Sequence, residues 1–317
     1  SLKNIKNADA RRFISFIAPN YRVIMLNEAP AKPLHRAFAI SLLGDLYKRG
    51  FRYLAMEMLN PGADQELNKL TYQTGHYTTE PVAGEMIRIA LDMGFKLVAY
   101  EDADATKHTP RQRDSVQAEN IYQVIKEDST AKIFVFAGYG HIAEKTTSED
   151  FIPMGMAFKR ISGIDPLSID QTDMTEGSNF SYGNAFYSAY LQRYPVSTPS
   201  IALSNDEPVN ITGSKLYDLT VIHPKSNYRD SRPTWLSLQN RRQPVYIKPA
   251  NKNTFLVQAY YQYESFSNKP GQVIPADQTY LQSGKGNYLL FLRSGKYILI
   301  FRAIRYKTIY TQHIEVN

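Results

Sequence analysis

The chain has 317 residues, 43% of them hydrophobic and 21% charged, with a formal net charge of +7. That length is ample for a buried core and suggests about two domains. Lys and Arg are scattered, densest in RQRD (111–114), NRR (240–242) and RAIRYK (302–307), which excludes the clustered stripe of a nucleic-acid binder but leaves open a general attraction to anionic surfaces.

Taken in order, DARRFISFIA (9–18) has the spacing of a short amphipathic helix. YRVIML (21–26) is an apolar β-run, followed by a helix from about Leu34 to Lys48 and a stop at Gly50. RYLAMEM (52–58) is a second strand. A helix is expected over 62–75. A better one covers 80–93, with Thr79 as N-cap, Pro81 in its first turn, the stripe Val82, Met86, Ile89 and Met93, and Gly94 closing it. KLVAYE (96–101) is the third strand. Thr109 and Pro110 open a helix to about Glu127, and KIFVFAG (132–138) is the fourth strand, running into GYGH. MGMAFKRISG (154–163) predicts a helix capped by Gly163, PLSI (166–169) a strand, 172–215 loops with a helix near 184–193, and YDLTVIHP (217–224) the last strand of this region.

Strands of four to seven apolar residues alternating with long helices predict an α/β fold, a mainly parallel sheet flanked by helices on both faces. From about residue 243 the pattern changes to short β-runs with Gly, Pro and Asn between them: QPVYIKP, FLVQAYYQY, NYLLFL, KYILIFRAI and YTQHIEVN. These predict a small all-β, sandwich-like C-terminal domain. The expected division is 1–238 and 239–317.

The chain has no cysteine, which excludes disulfides, thiol nucleophiles and Cys-ligated metals. No apolar run approaches the ~18 residues of a membrane span. The missing cysteine, the start without Met and the added β-module lead us to expect an extracytoplasmic protein, periplasmic or secreted.

In a parallel sheet, ligands bind at the carboxyl edge of the strands. That edge receives Glu28, Glu57, Glu101/Asp102 and His141. His141 follows two glycines that can bring backbone close to a ligand. Glu57 ends a strand expected to be buried, so its carboxylate needs a partner, a metal or solvent. Arg36 and Arg113 are candidates for holding a carboxylate or an oxyanion. No P-loop, Rossmann glycine fingerprint, HExxH or G-x-S-x-G elbow is present. Carboxylates and histidine remain, for acid–base hydrolysis or an O/N-ligand metal site.

The order of these residues resembles the superfamily that joins erythromycin-esterase-like hydrolases, the ChaN haem-binding proteins and the TraB/Tiki proteins. There, a strand ends in a GExH-type motif, a second in Glu and a later one in GxxH. Here VIMLNEAPAKPLHRAF places Glu28 on the motif Glu, LAMEM places Glu57 on the second, and GYGH places His141 on the third, over roughly residues 20–225. Asn27 stands where that pattern has Gly, and Pro30 or Ala31 where it has its first His; His35 is the candidate replacement.

The resemblance implies an ester or amide hydrolase acting on a small molecule, with Glu28, Glu57, His141, His35, Arg36 and Arg113 in its site. It equally implies a pseudoenzyme, or a ligand binder using a divalent metal at Glu28, Glu57 and His141 or haem contacts from Tyr77, Tyr139, Tyr182 and Tyr187.

Overall fold

Alternation of apolar runs and helical patterns produces the expected layers. The computed structural model describes residues 4–62, 67–104, 106–146, 148, 151–178, 183–250, 253–267, 272–280 and 288–317. The chain forms two compact units, residues 1–68 with 90–225, and residues 69–89 with 226–317.

The first unit is α/β. Its strands are β1 (Lys6–Asp9), β2 (Val23–Glu28), β3 (Tyr53–Met56), β4 (Lys96–Val98), β5 (Ile133–Gly138), β6 (Leu167–Asp170), β7 (Ser200–Ser204), β8 (Glu207–Pro208) and β9 (Leu219–Ile222). They make one nine-stranded sheet in the order β1-β7-β9-β6-β2-β5-β3-β4, with β8 on β7. The run from β9 to β4 is parallel, and β7 joins it antiparallel and carries β1. Sequence reading found neither β1 nor β7. The helices are α1 (Ala10–Ile17), α2 (Pro33–Lys48), α4 (Pro110–Glu127), α5 (Met154–Ser162) and α6 (Gly183–Arg193), while α3 (Pro81–Met93) has its residues 81–89 in the second unit. Of the helix expected over 62–75, residues 67–75 are irregular, mostly turns and bends, and 63–66 lie outside the described residues. At the start of α3 the cap is Glu80 rather than Thr79, its carboxylate accepting from the N–H groups of Val82 and Ala83 at 3.0 and 2.9 Å.

Strand pleating decides which side chains meet. Val23, Met25, Ile133, Val135 and Ala137 face α4 and α5, packing with Ala118, Ile121, Ile125, Ala157 and Phe158. In register, Val23 and Tyr53 both lie beside Ile133. Glu57, two residues beyond Ala55, therefore continues onto the α4/α5 face, whereas Glu28 has the parity of Ile24 and Leu26 and turns to the opposite face with α2.

In the second unit, β12 (Gln243–Ile247) pairs with β15 (Tyr288–Leu292). A four-stranded antiparallel sheet runs β14 (Asp277–Tyr280), β13 (Leu256–Tyr261), β16 (Gly295–Arg302), β17 (Thr308–Val316). Side chains of both sheets share one core, including Ile247, Val257, Leu290, Tyr297 and Phe301. The unit begins before residue 239: Arg232, in the small pair β10 (Tyr228–Arg229) and β11 (Arg232–Pro233), holds Asp277 through Nη2 and Nη1 at 2.8 and 3.0 Å.

This unit also buries a charge cluster. Glu85 of α3 is fully buried, meeting Arg88 Nη1 at 3.0 Å, Arg293 Nε at 3.1 Å and Arg242 Nε at 3.7 Å, and accepting the Tyr261 hydroxyl at 2.8 Å. Arg88 in turn forks onto Glu264 at 2.7 and 2.9 Å.

Candidate functional site

At the carboxyl edge of the first unit's sheet, one cluster stands on the α4/α5 face. The main-chain N–H of Gly138 donates to Glu57 Oε2 at 2.6 Å, and Arg113 Nη2 donates to Glu57 Oε1 at 2.7 Å. Arg113 also grips Glu101, through Nε at 3.0 Å and through Nη2. Gln117 donates to the same carboxylate at 3.2 Å. His141 Nδ1 lies 2.8 Å from Asp114 Oδ2, and its Nε2 lies 3.5 Å from Glu57 Oε1. Asp114, almost wholly buried, also accepts the Met154 N–H at 2.9 Å. Because the acceptor-only carboxylate faces Nδ1, that nitrogen carries the proton and leaves Nε2 as the basic atom.

The helix that supplies Arg113, Asp114 and Gln117 starts where the sequence placed it, with Gln112 Oε1 accepting the Thr109 N–H at 2.9 Å. Its core stripe is Asp114, Gln117, Ala118, Ile121 and Ile125. Sequence reasoning missed Asp114 and Gln117. The signal was available: continuing the apolar stripe back one turn puts two polar residues at core-facing positions.

Charge sets the protonation of the cluster. Burial would lower the His141 pKa, but the Asp114 hydrogen bond and the charges of Glu57 and Asp114 outweigh it and raise it above its ordinary 6.5. Burial pushes Glu101 up, and the Arg113 bond, the Asp102 N–H and Gln117 overcome this and hold it below 4.5. The His141 side chain is 21% exposed, so solvent reaches it.

The GYGH turn has its own backbone geometry. Gly138 keeps a negative φ of −73°, and it is Tyr139 that takes a positive one, +39°. A side chain at Gly138 would put its Cβ 3.3 Å from Glu57 Oε2, so the glycine serves close approach of that carboxylate. Behind the turn, α5 packs equally closely: a Cβ on Gly155 would fall 2.4 Å from the Ile142 carbonyl oxygen. Gly155→Ala is accordingly expected to cost about 1–3 kcal/mol in urea unfolding and to move the His141 turn, since only backbone stands in the way.

The remaining predicted residues form a second, sealed group. Arg36 Nε and Nη2 bind Glu28 at 2.8 and 3.1 Å, both residues being buried, and Arg36 also reaches the Pro30 carbonyl at 3.0 Å. His35 is wholly buried; its Nδ1 accepts the Ala29 N–H at 2.9 Å, and its ring lies 5.5 Å from that of His223. Burial, then His223, Lys32 and Arg36, hold His35 well below 6.5, and burial takes His223 to about 3. The suggestion that His35 replaces the missing base is therefore corrected: in this fold it is a neutral core histidine with its basic nitrogen occupied by backbone. Asn27 has a structural part here. It donates to the Tyr139 carbonyl at 3.0 Å and to Asp170 at 2.7 Å, and accepts the Gln171 N–H at 2.8 Å, tying the ends of β2, β5 and β6.

Glu28, Glu57 and His141 do not share a donor set for a cation, because both Glu28 oxygens are held by Arg36 and Glu57 by Arg113 and Gly138. Among the described residues no group of three or more His, Asp and Glu is arranged to hold a metal ion. The tyrosines suggested for haem have separate surroundings where they are described. Tyr187 is buried with its hydroxyl on the His223 carbonyl at 2.8 Å, Tyr139 is exposed, Tyr77 belongs to the second unit, and Tyr182 lies outside the described residues.

No family model and no curated protein matches the chain. Among solved structures it is similar to the type III effector HopBA1, at 13% identity over 70% of this chain and 97% of that one, with a TM-score of 0.39. It is also similar to a C-terminal region of Pasteurella multocida toxin described as having a thiol-protease-like catalytic triad. That likeness has 11% identity over 97% of this chain and 48% of the other, with a TM-score of 0.36. At such scores neither informs the chemistry of the cluster.

Proposed function

We propose that this chain is a hydrolase that cleaves an ester or amide bond of a small molecule, with His141 as its proton-transferring group. The observation that carries this reading is the line Asp114–His141–Glu57 at the strand edge, with the only solvent-reachable imidazole of the pair His35 and His141 at its centre. Asp114 fixes the Nδ1–H form. Nε2 takes a proton from water as that water's oxygen bonds to the carbonyl carbon, and the imidazolium then passes the proton to the leaving alkoxide or amine. Glu57 Oε1, 3.5 Å from Nε2, accepts the other hydrogen of the same water. Arg113 uses Nε and Nη2 on the carboxylates and is 38% exposed, so its remaining end is placed to stabilise the oxyanion.

This keeps the erythromycin-esterase-like expectation and moves the base from the first motif to His141. A second reading, a ligand binder or pseudoenzyme without turnover, draws on one observation: Glu57 and Arg113 already neutralise each other. A panel of carboxylic esters and amides assayed with wild type, His141→Ala and Glu57→Gln separates the two. Hydrolysis lost in both variants is the expected result; hydrolysis that survives both places the chemistry elsewhere, and none in wild type favours the second reading.

A further inference from the structure

The three basic spots of the sequence have different fates. RQRD supplies Arg113 and Asp114 to the cluster, NRR supplies the buried Arg242, and RAIRYK forms the exposed tip between β16 and β17. The tip is closed by Ala303 N–H on the Lys307 carbonyl at 2.8 Å and Tyr306 N–H on the Ala303 carbonyl at 3.1 Å. At its apex Ile304 is 73% exposed, beside Tyr306 at 56%. Tyr306 is held rather than loose: the Arg302 guanidinium lies 4.3 Å over its ring, and Gln258 donates to its hydroxyl at 2.6 Å.

The same end of the sheet adds two more exposed rings. Leu256 stands opposite both Tyr280 and Arg302, and Phe255 and Tyr280 pack together with centroids 5.1 Å apart. From Gly295 to Ile314 the chain has no acid, and Arg302, Arg305 and Lys307 surround the isoleucine.

We infer that this tip is a docking surface for an anionic lipid membrane. An aliphatic side chain at the apex, tyrosines whose apolar rings carry a polar end, and flanking cations match the three layers of a lipid interface: acyl boundary, headgroup level and anionic surface. A nucleic acid would use the rings and cations but gives an exposed isoleucine nothing to bury. Each cation beside an anionic surface is worth about five-fold in partition, so the pair Arg305 and Lys307 contributes on the order of 25-fold.

Co-sedimentation of the full chain with phosphatidylcholine vesicles, with and without phosphatidylserine, tests this. The comparison includes Ile304→Ser, Arg305→Glu/Lys307→Glu and, as a control at another exposed aromatic, Phe16→Ser; tip residues this exposed should not alter folding, which Trp235 fluorescence checks. The expected result is binding that requires phosphatidylserine, weakens with salt, is lost in both tip variants and persists in the control. The proposal is overturned if wild type stays in the supernatant, if it binds both vesicles alike, if the tip variants bind as wild type does, or if it binds a single-stranded RNA oligonucleotide and not the vesicles.

Discussion

Glu85→Ala is expected to destabilise the second unit by about 3–5 kcal/mol, the cost of removing one partner from a buried ion cluster. Burial alone would raise the Glu85 carboxyl, yet Arg242, Arg88 and Arg293 hold it below 4.5, so it is ionised and serves three guanidiniums at once. Without it, Arg88 keeps Glu264 and the Ile274 carbonyl, but among the described residues Arg242 is left with the Ala276 carbonyl, at 2.8 Å, and no acid beside its buried charge. Glu85→Gln preserves the shape and an acceptor for Tyr261 while removing the charge, and is expected to fall between the two. The chain's single tryptophan, Trp235, lies in this unit and reports its urea unfolding. An unchanged midpoint in Glu85→Ala would mean that the cluster contributes nothing net.

Asp114→Asn is expected to lower turnover on any substrate found by about 10²–10⁴-fold, the usual range for general acid–base assistance. Two effects act together. The amide can present N–H to Nδ1 and so stabilise the wrong tautomer, and without the carboxylate the Asp114 hydrogen bond, the largest influence that raises the His141 pKa, is weakened and that residue's charge is lost. The sign follows directly. The basic form of His141 is the active one, so wild-type rate rises with pH through a pKa above 6.5; in Asp114→Asn that limb moves to lower pH while its plateau falls. Kinetics across pH 5–9 would show it. A reduced rate with an unmoved limb would make Asp114 a packing residue only.

Much of the first unit was legible because its parallel strands are apolar throughout and its helices carry clear stripes and stops. β1 and β7 were not, since KNAD and SIALS are short and their antiparallel pairing at the sheet edge leaves no run that stands out among the loops. The convergence of Glu28, Glu57, Glu101 and His141 on one edge follows from parallel topology and was legible too. Their separation was not, because it depends on register. One residue of parity sends Glu28 to Arg36 on one face and Glu57 to Arg113 on the other, and no local pattern in NEAP or AMEM states how those strands align. His35 illustrates a further limit. Its distance along the chain allowed it to reach a cleft, but only the backbone N–H of Ala29 reveals that its lone pair is already used.

Histidine ring titration by NMR tests the central claim most directly, because it needs no substrate. Among the six histidines, His141 should titrate above 6.5 as the Nδ1–H tautomer and shift downward in Asp114→Asn. His35 and His223 should remain neutral well into acid, each as the Nε2–H tautomer. A His35 that titrates near or above 6.5, with a His141 indifferent to Asp114→Asn, would contradict the assignment and return the functional base to the first loop.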